Sequence, residues 1–336
     1  MTAQQESLLH TEGLSAGYDT KTILKDINLE VEKGEFICLI GANGTGKSTL
    51  LRTLAGLLDP LKGDVYVENR KIRDYRARQL AKTLSLVLTE NTQTGNLMVR
   101  ELVGLGRLPY TNWHGSLTSE DSKFIEEAIS KTGIEHLAER KVNTLSDGEA
   151  QKAMIARGLA QNTSLMLLDE PTIHLDLPNR ITIISLLKQI SGEMDKTFVM
   201  ALHEMELSLQ VADRLWLIDR QNQLHEGIPE DLALKGLLQE NFTNDYVDFD
   251  HNTGTFRMKQ SFHSTIKMSG NSHAACWTER ALMRKGFRVT SSNEDASLPE
   301  ISVSEAPLLW KIHMPDGGRL ETRNIEELLK NLKGRF

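Results

Sequence analysis

Short, wholly apolar runs alternate with helix-periodic segments over the first two thirds of the chain. Glu35–Ile40 is such a run, closed by Gly41, and Lys47–Leu58 follows it with Leu50, Leu51, Leu54, Leu57 and Leu58 at helical spacing. Leu165–Leu168 and Phe198–Leu202 are two more apolar runs. Strands apolar on both sides fit a parallel sheet covered on both faces, whereas a half-exposed strand would alternate. Their alternation with helices predicts an α/β fold. Residues 96–163 carry little strand signal and read as a helical insertion. Within it, Thr118 and Asp121 are placed as a capping pair for a helix carrying Phe124, Ile125, Ala128 and Ile129, with a stop near Gly133.

After about residue 245 the pattern resets. Tyr246–Met258 reads as a hairpin turning around Asn252–Gly254. Thr265–Met268 is a short strand; a helix over about Ala274–Lys285 follows, ended by Gly286. Phe287–Thr290, Ile301–Ser304 and Leu309–Met314 read as strands, Pro315–Gly318 as a turn and Asn324–Lys333 as a closing amphipathic helix. Two domains are therefore expected, residues 1–245 and a small α+β domain over 246–336.

Composition narrows the class. The chain has 336 residues, 39% apolar and 25% charged, enough for two packed cores. A net charge of −7 and the lack of a Lys/Arg run argue against a nucleic-acid partner. Cys38 and Cys276 have no CxxC or His neighbour at metal spacing, and Cys38 reads as a small buried hydrophobe. No signal peptide is visible at the start, and no stretch approaches the roughly 20 apolar residues of a membrane span.

The segment Gly41-Ala42-Asn43-Gly44-Thr45-Gly46-Lys47-Ser48-Thr49 matches G-x-x-x-x-G-K-[ST], the phosphate-binding P-loop. Glycines let the backbone wrap a phosphate so that several N–H groups point inward, and the helix starting at Lys47 adds its positive end. Lys47 would meet the β- and γ-phosphates, and Ser48 would offer a hydroxyl to Mg²⁺. Leu165–Leu168 runs into Asp169 and Glu170, the Walker B pattern. Asp169 would hold Mg²⁺, directly or through water, and Glu170 would orient and polarise the attacking water.

Between these motifs stands Leu145-Ser146-Asp147-Gly148-Glu149-Ala150-Gln151. With all motifs in this order over about residues 8–235, the chain resembles the ATP-binding cassette (ABC) family, whose signature usually reads LSGGQ. The resemblance implies a P-loop NTPase fold with a mostly parallel core, an antiparallel β N-terminal part and a helical insertion. It implies an ATPase using ATP and Mg²⁺, with Gly41, Asn43, Gly44, Gly46, Lys47, Ser48 and Thr49 on the nucleotide. It also implies a head-to-tail homodimer in which Ser146 and Gly148 reach the γ-phosphate held by the partner copy. Tyr18 matches the aromatic that stacks on adenine, Asp176 the D-loop, and His203 the switch histidine on the γ-phosphate. Glu90 stands where the family has a metal-binding glutamine and is taken as the third metal residue, with Gln93 as its substitute. Asp147 and Glu149 depart from the usual signature and add negative charge beside an anion. His174 has no assigned role.

Gly106-Arg107-Leu108-Pro109-Tyr110, after Val99–Val103, is similar to a segment of the iron-chelate and cobalamin importer ATPases. The resemblance implies a polytopic permease docked near Arg107–Tyr110, with Arg107 and Tyr110 as surface anchors. It implies a place on the cytoplasmic face of the cell membrane and indirect service to an extracytoplasmic substrate-binding protein. The cargo class would be iron-siderophore, haem or cobalamin. The alternative is a non-transport ABC ATPase acting on a soluble partner. The 246–336 domain reads first as a stabilising or dimer-contacting appendage. Regulation by a small ligand and an anion site at the Ser269–Asn271 loop are the other readings.

Overall fold

The computed structural model describes residues 7–88, 96–112, 115–250, 253–270, 272–291 and 297–333. The chain divides into two compact units. One spans residues up to Phe242 together with Phe249–Thr255; the other holds Thr243–Asp248 and the residues from Phe256 on.

The first unit is built on a six-stranded sheet in the order Leu224–Gly227, Arg214–Ile218, Phe36–Gly41, Thr197–Ala201, Leu165–Asp169, Leu84–Val87. Its last five strands are mutually parallel, and only Leu224–Gly227 runs antiparallel, as a hairpin on Arg214–Ile218. Every residue of Phe36–Gly41, Leu165–Asp169 and Thr197–Ala201 is buried. That is why these runs are uninterrupted by polar residues. The N-terminal strands Leu9–Tyr18, Lys21–Ile27, Glu30–Val31, Lys62–Val67 and Arg70–Lys71 form a separate antiparallel sheet. Val99–Gly104, Ser119–Lys131 and Asp147–Ala160 pack together as the helical insertion.

Local chemistry sets several boundaries. Asp121 accepts hydrogen bonds from the Thr118 N–H and hydroxyl, and the Thr118 hydroxyl accepts from the Asp121 N–H, a complete capping box for Ser119–Lys131. The helix beginning at Lys47 stops at Leu54 rather than Leu58. Gly56 takes φ 70°, and Leu57 is 65% exposed, so the spacing of the last two leucines is not a helical face.

The second unit is a five-stranded sheet in the order Phe287–Thr290, Ser264–Ser269, Glu300–Glu305, Leu308–His313, Arg319–Thr322, with helices His273–Arg284 and Ile325–Lys333. The first two junctions are parallel and the last two antiparallel. Ile266, Leu282, Ile301, Trp310, Ile312 and Leu328 form its core. The Trp310 indole N–H donates to the Thr278 hydroxyl at 2.6 Å, satisfying a buried donor. Val247–Asp250 and Thr255–Met258 pair as the expected hairpin; Asn252 of its turn lies outside the described residues. Among the described residues no helix is long and apolar enough to cross a membrane.

Candidate functional site

The loop between Phe36–Gly41 and Lys47–Leu54 forms a cleft of about 360 Å³ at the end of the parallel sheet. Asn43, Gly44, Gly46, Lys47, Ser48, Thr49, Glu170 and His203 line it. Gly46 sits at φ 104°, and a Cβ there would lie 2.7 Å from Ile23 Cγ2, so only glycine lets the loop close this tightly. Among the described residues no side chain hydrogen-bonds the N-terminus of the Lys47–Leu54 helix. Its first N–H groups and its dipole suit an anion.

Lys47 is buried, and its Nζ donates to the Gly41 carbonyl at 2.9 Å and the Ala42 carbonyl at 3.2 Å. These bonds hold the ammonium inside the loop. Burial lowers its pKa, and the nearby Glu170 and Asp169 partly restore it. Across the cleft, the Ser48 hydroxyl donates to Asp169 Oδ1 at 2.9 Å. Burial raises the Asp169 pKa, against the Ser48 hydrogen bond. A hydroxyl and a carboxylate oxygen held together are the hard donors that suit Mg²⁺.

Glu170 follows Asp169 at the strand end and bends to φ 53°, an uncommon conformation for a side chain of this size. That bend brings Glu170 Oε1 to 2.6 Å from His203 Nε2. The Glu170 N–H donates to the Ala201 carbonyl at 3.1 Å, tying the bend to the neighbouring strand. Three further residues brace the segment, and no local pattern in the sequence signals them. Glu204 pairs with Arg180 at 2.8 Å and accepts from the Thr172 hydroxyl at 3.0 Å, while Arg180 Nε donates to the Leu175 carbonyl at 2.6 Å.

The other expected site residues are placed elsewhere. Gly41 and Asp169 form the floor of the loop as strand ends. Tyr18 is 44% exposed at the end of Leu9–Tyr18, as a ring free to stack on a planar ligand must be. Ser146 caps Asp147–Ala160, with its N–H and hydroxyl donating to Glu149 Oε2 at 2.8 and 3.0 Å. Gly148 approaches Asn179, and Asp176 caps Leu177–Met194 by accepting from the Asn179 N–H at 3.1 Å. Within one chain, Tyr18, Ser146, Gly148 and Asp176 do not line the cleft. Glu90 and Gln93 lie outside the described residues, as does Asn271.

Arg107 requires a correction: it is no surface anchor. Its Nε donates to Asp121 Oδ1 at 2.8 Å and its Nη1 to the Ala160 carbonyl at 2.9 Å. The guanidinium packs 3.8 Å from the Tyr110 ring centre and 4.3 Å from that of Phe124. A donor fork matched to a carboxylate and stacked on aromatics is more stable inside than in water. Leu105 and Leu108 are the exposed side chains of this turn.

Residues 24–173 match the family model described as ABC transporter, and residues 263–333 that described as Iron ABC transporter C-terminal domain. An uncharacterised ABC transporter ATP-binding protein of Methanocaldococcus jannaschii is 40% identical over 254 residues, covering 76% of this chain and 88% of the relative. The ferric enterobactin transport ATP-binding protein FepC of Escherichia coli is 36% identical over 231 residues, 69% of this chain and 85% of the relative. The structure of cbiO1 from Clostridium perfringens, part of the ABC transporter complex cbiONQ, superposes with a TM-score of 0.61 at 27% identity, covering 70% of this chain and 96% of that one. A dimeric ATP-binding cassette bound to ADP and Pi in a post-hydrolysis state gives a TM-score of 0.57 at 28% identity, covering 66% of this chain and 98% of that one.

Proposed function

The chain belongs to the ABC transporter family as an ATP-binding, ATP-hydrolysing subunit, and from that premise we propose that two copies energise a permease importing siderophore-bound iron. The observation that carries the reading is the meeting, at the carboxyl end of the parallel strands, of the Lys47 loop, the Ser48–Asp169 pair and the Glu170–His203 pair. The cargo class rests on the iron-transporter C-terminal match and on relatives named for ferric enterobactin and iron(3+)-hydroxamate. These favour siderophore-bound iron over haem or cobalamin.

Each residue then has a role. The loop amides and Lys47 surround the β- and γ-phosphates, and Tyr18 stacks on the adenine. Ser48 and Asp169 supply oxygen ligands for Mg²⁺, which neutralises charge on the phosphates when bound. Glu170 accepts a hydrogen bond from the attacking water and orients it, while His203 fixes the Glu170 carboxylate at 2.6 Å. Ser146 and the helix N-terminus at Asp147–Ala160 close on the γ-phosphate of the partner copy. Ile173, Leu177 and Ile181, exposed around Asp176, give that closure an apolar surface to bury. On the opposite errand, Leu105 and Leu108 meet the permease at the cytoplasmic face of the membrane, with Arg107 as the brace beneath them.

The test is capture of tagged Glu170→Gln with ATP from solubilised native membranes. Loss of the water-positioning carboxylate is expected to trap an ATP-bound dimer and cut turnover by orders of magnitude. Mass spectrometry should then find a polytopic permease, and uptake of ferric siderophore should fail in cells carrying the variant. Recovery of soluble partners alone would sink the importer reading.

A further inference from the structure

Helix His273–Arg284 has two unlike faces. Ala275, Thr278, Ala281 and Leu282 are buried. On the opposite side, at spacings of three and four, stand His273, Trp277, Arg280 and Arg284, all exposed. Trp277 leaves 54% of its surface open, and the Arg280 guanidinium lies 5.1 Å from its ring centre. An indole costs free energy to keep in water, and here it stands inside a basic stripe rather than alone, with Arg280 against its ring.

Charge is uneven in the same sense. The second unit, Thr243–Asp248 with residues 256–336, holds 13 Lys and Arg against 11 Asp and Glu, a net +2, and the chain's −7 leaves −9 for the rest. The helix's own acid, Glu279, falls outside the stripe. Acids on the elements packed against the helix are engaged. Glu305 accepts from the Ala274 N–H at 3.1 Å and Glu300 faces Lys267 at 3.8 Å. Glu326 pairs with Lys330 at 2.6 Å, and Glu327 accepts from the Arg323 N–H at 3.3 Å. Among the described residues the cations of the stripe have no paired carboxylate, and they surround a single aromatic ring.

We propose that this stripe docks on the anionic headgroup layer of a phospholipid bilayer. Arginines meet lipid phosphates as forked donors, and tryptophan settles at the boundary between headgroups and acyl chains. An amphipathic helix with basic and aromatic residues on its outer face binds in that plane. A nucleic acid fits less well, because one helix face carries too few charges to follow a phosphate backbone. The proposal leans on the importer reading only for why a bilayer is at hand.

The full chain, without permease, is mixed with vesicles of phosphatidylcholine and with vesicles of equal parts phosphatidylcholine and phosphatidylglycerol, then floated through a gradient. It should float with the anionic vesicles alone and be released by salt. Arg280→Gln with Arg284→Gln should weaken this binding about thirty-fold, at about 1 kcal/mol for each charge near the surface. The circular dichroism and thermal melt of that variant should match wild type, which shows that its second unit folds, and basal ATPase should be unchanged. Flotation with neither vesicle, equal flotation with both, or wild-type flotation of the double variant would overturn the proposal. So would tighter binding to a DNA oligonucleotide that excludes lipid. No permease or cargo enters the assay, so its failure leaves the importer reading standing. Capture of soluble partners by Glu170→Gln would likewise leave the flotation result intact.

Discussion

Replacing Arg107 with methionine removes a buried guanidinium and strands Asp121, itself only 3% exposed, as an unpaired charge. The losses are the 2.8 Å bond to Asp121, the 2.9 Å bond to the Ala160 carbonyl and the stacking on Tyr110 and Phe124. Methionine refills part of the volume, but the carboxylate keeps its desolvation cost. Breaking a buried pair from one side costs about 3–5 kcal/mol. For a unit of this size each kcal/mol is worth roughly 2–4 °C, so Tm should fall by about 6–20 °C. Thermal unfolding followed by near-ultraviolet circular dichroism measures it. Adding Asp121→Asn should recover much of the loss, because an amide needs no counter-charge. The dependence on pH has a definite sign. Burial alone would raise the Asp121 pKa, but hydrogen bonds from Thr118 and Arg107 and the Arg107 charge lower it overall. A carboxyl with a depressed pKa stabilises the fold above its unfolded value near 3.9 and loses that as pH falls. The gap between wild type and Arg107→Met should thus be full at neutral pH and narrow in acid. A variant melting within about 2 °C of wild type at neutral pH would refute the buried brace and return Arg107 to the surface.

Two further outcomes follow from the geometry. Gly46→Ala forces a methyl to 2.7 Å from Ile23 at φ 104°, a strain of about 1–3 kcal/mol, and should weaken ATP binding at least about five-fold by fluorescent-nucleotide titration; wild-type affinity would count against the loop geometry. Burial pushes the Cys38 thiol up to about 12, so iodoacetamide at mildly alkaline pH should label native protein at Cys276 alone and unfolded protein at both, and native labelling of Cys38 would contradict its burial.

Local chemistry was legible in the chain, and long-range chemistry was not. Phe36–Gly41 is readable because burial on both faces demands an unbroken apolar run. Thr118 and Asp121 are readable because a capping box is completed within four residues. Arg107 meets Asp121 fourteen residues on and Ala160 fifty-three residues on, so its sequence context shows only a surface-like turn. Arg180 and Glu204 escape notice for the same reason, being joined only by folding. Strand Arg319–Thr322 was missed because it buries little beyond Thr322 and adds itself to a sheet that others already define. The motif residues of the cleft were legible together, because phosphate binding needs one continuous loop and one strand end.

The signature turn shows why an altered motif need not be a damaged one. Glu149 stands at the third position of Asp147–Ala160, where its carboxylate accepts from the Ser146 N–H and hydroxyl, and Arg140 lies 3.8 Å away. Hydrogen bonds from Ser146 lower its pKa, so it stays charged at neutral pH. An acid in the first turn also complements the helix dipole. The helix therefore gains from Glu149, while an anion approaching Ser146 meets an extra negative charge. Glu149→Gln preserves the capping box, since either side chain serves that position. It should cost little stability, lower the KM for ATP, and flatten the salt dependence of turnover. If Ser146 does face a phosphate across the dimer, affinity must rise as the charge is removed. A KM that stays fixed while stability falls would mean that this turn only caps its helix.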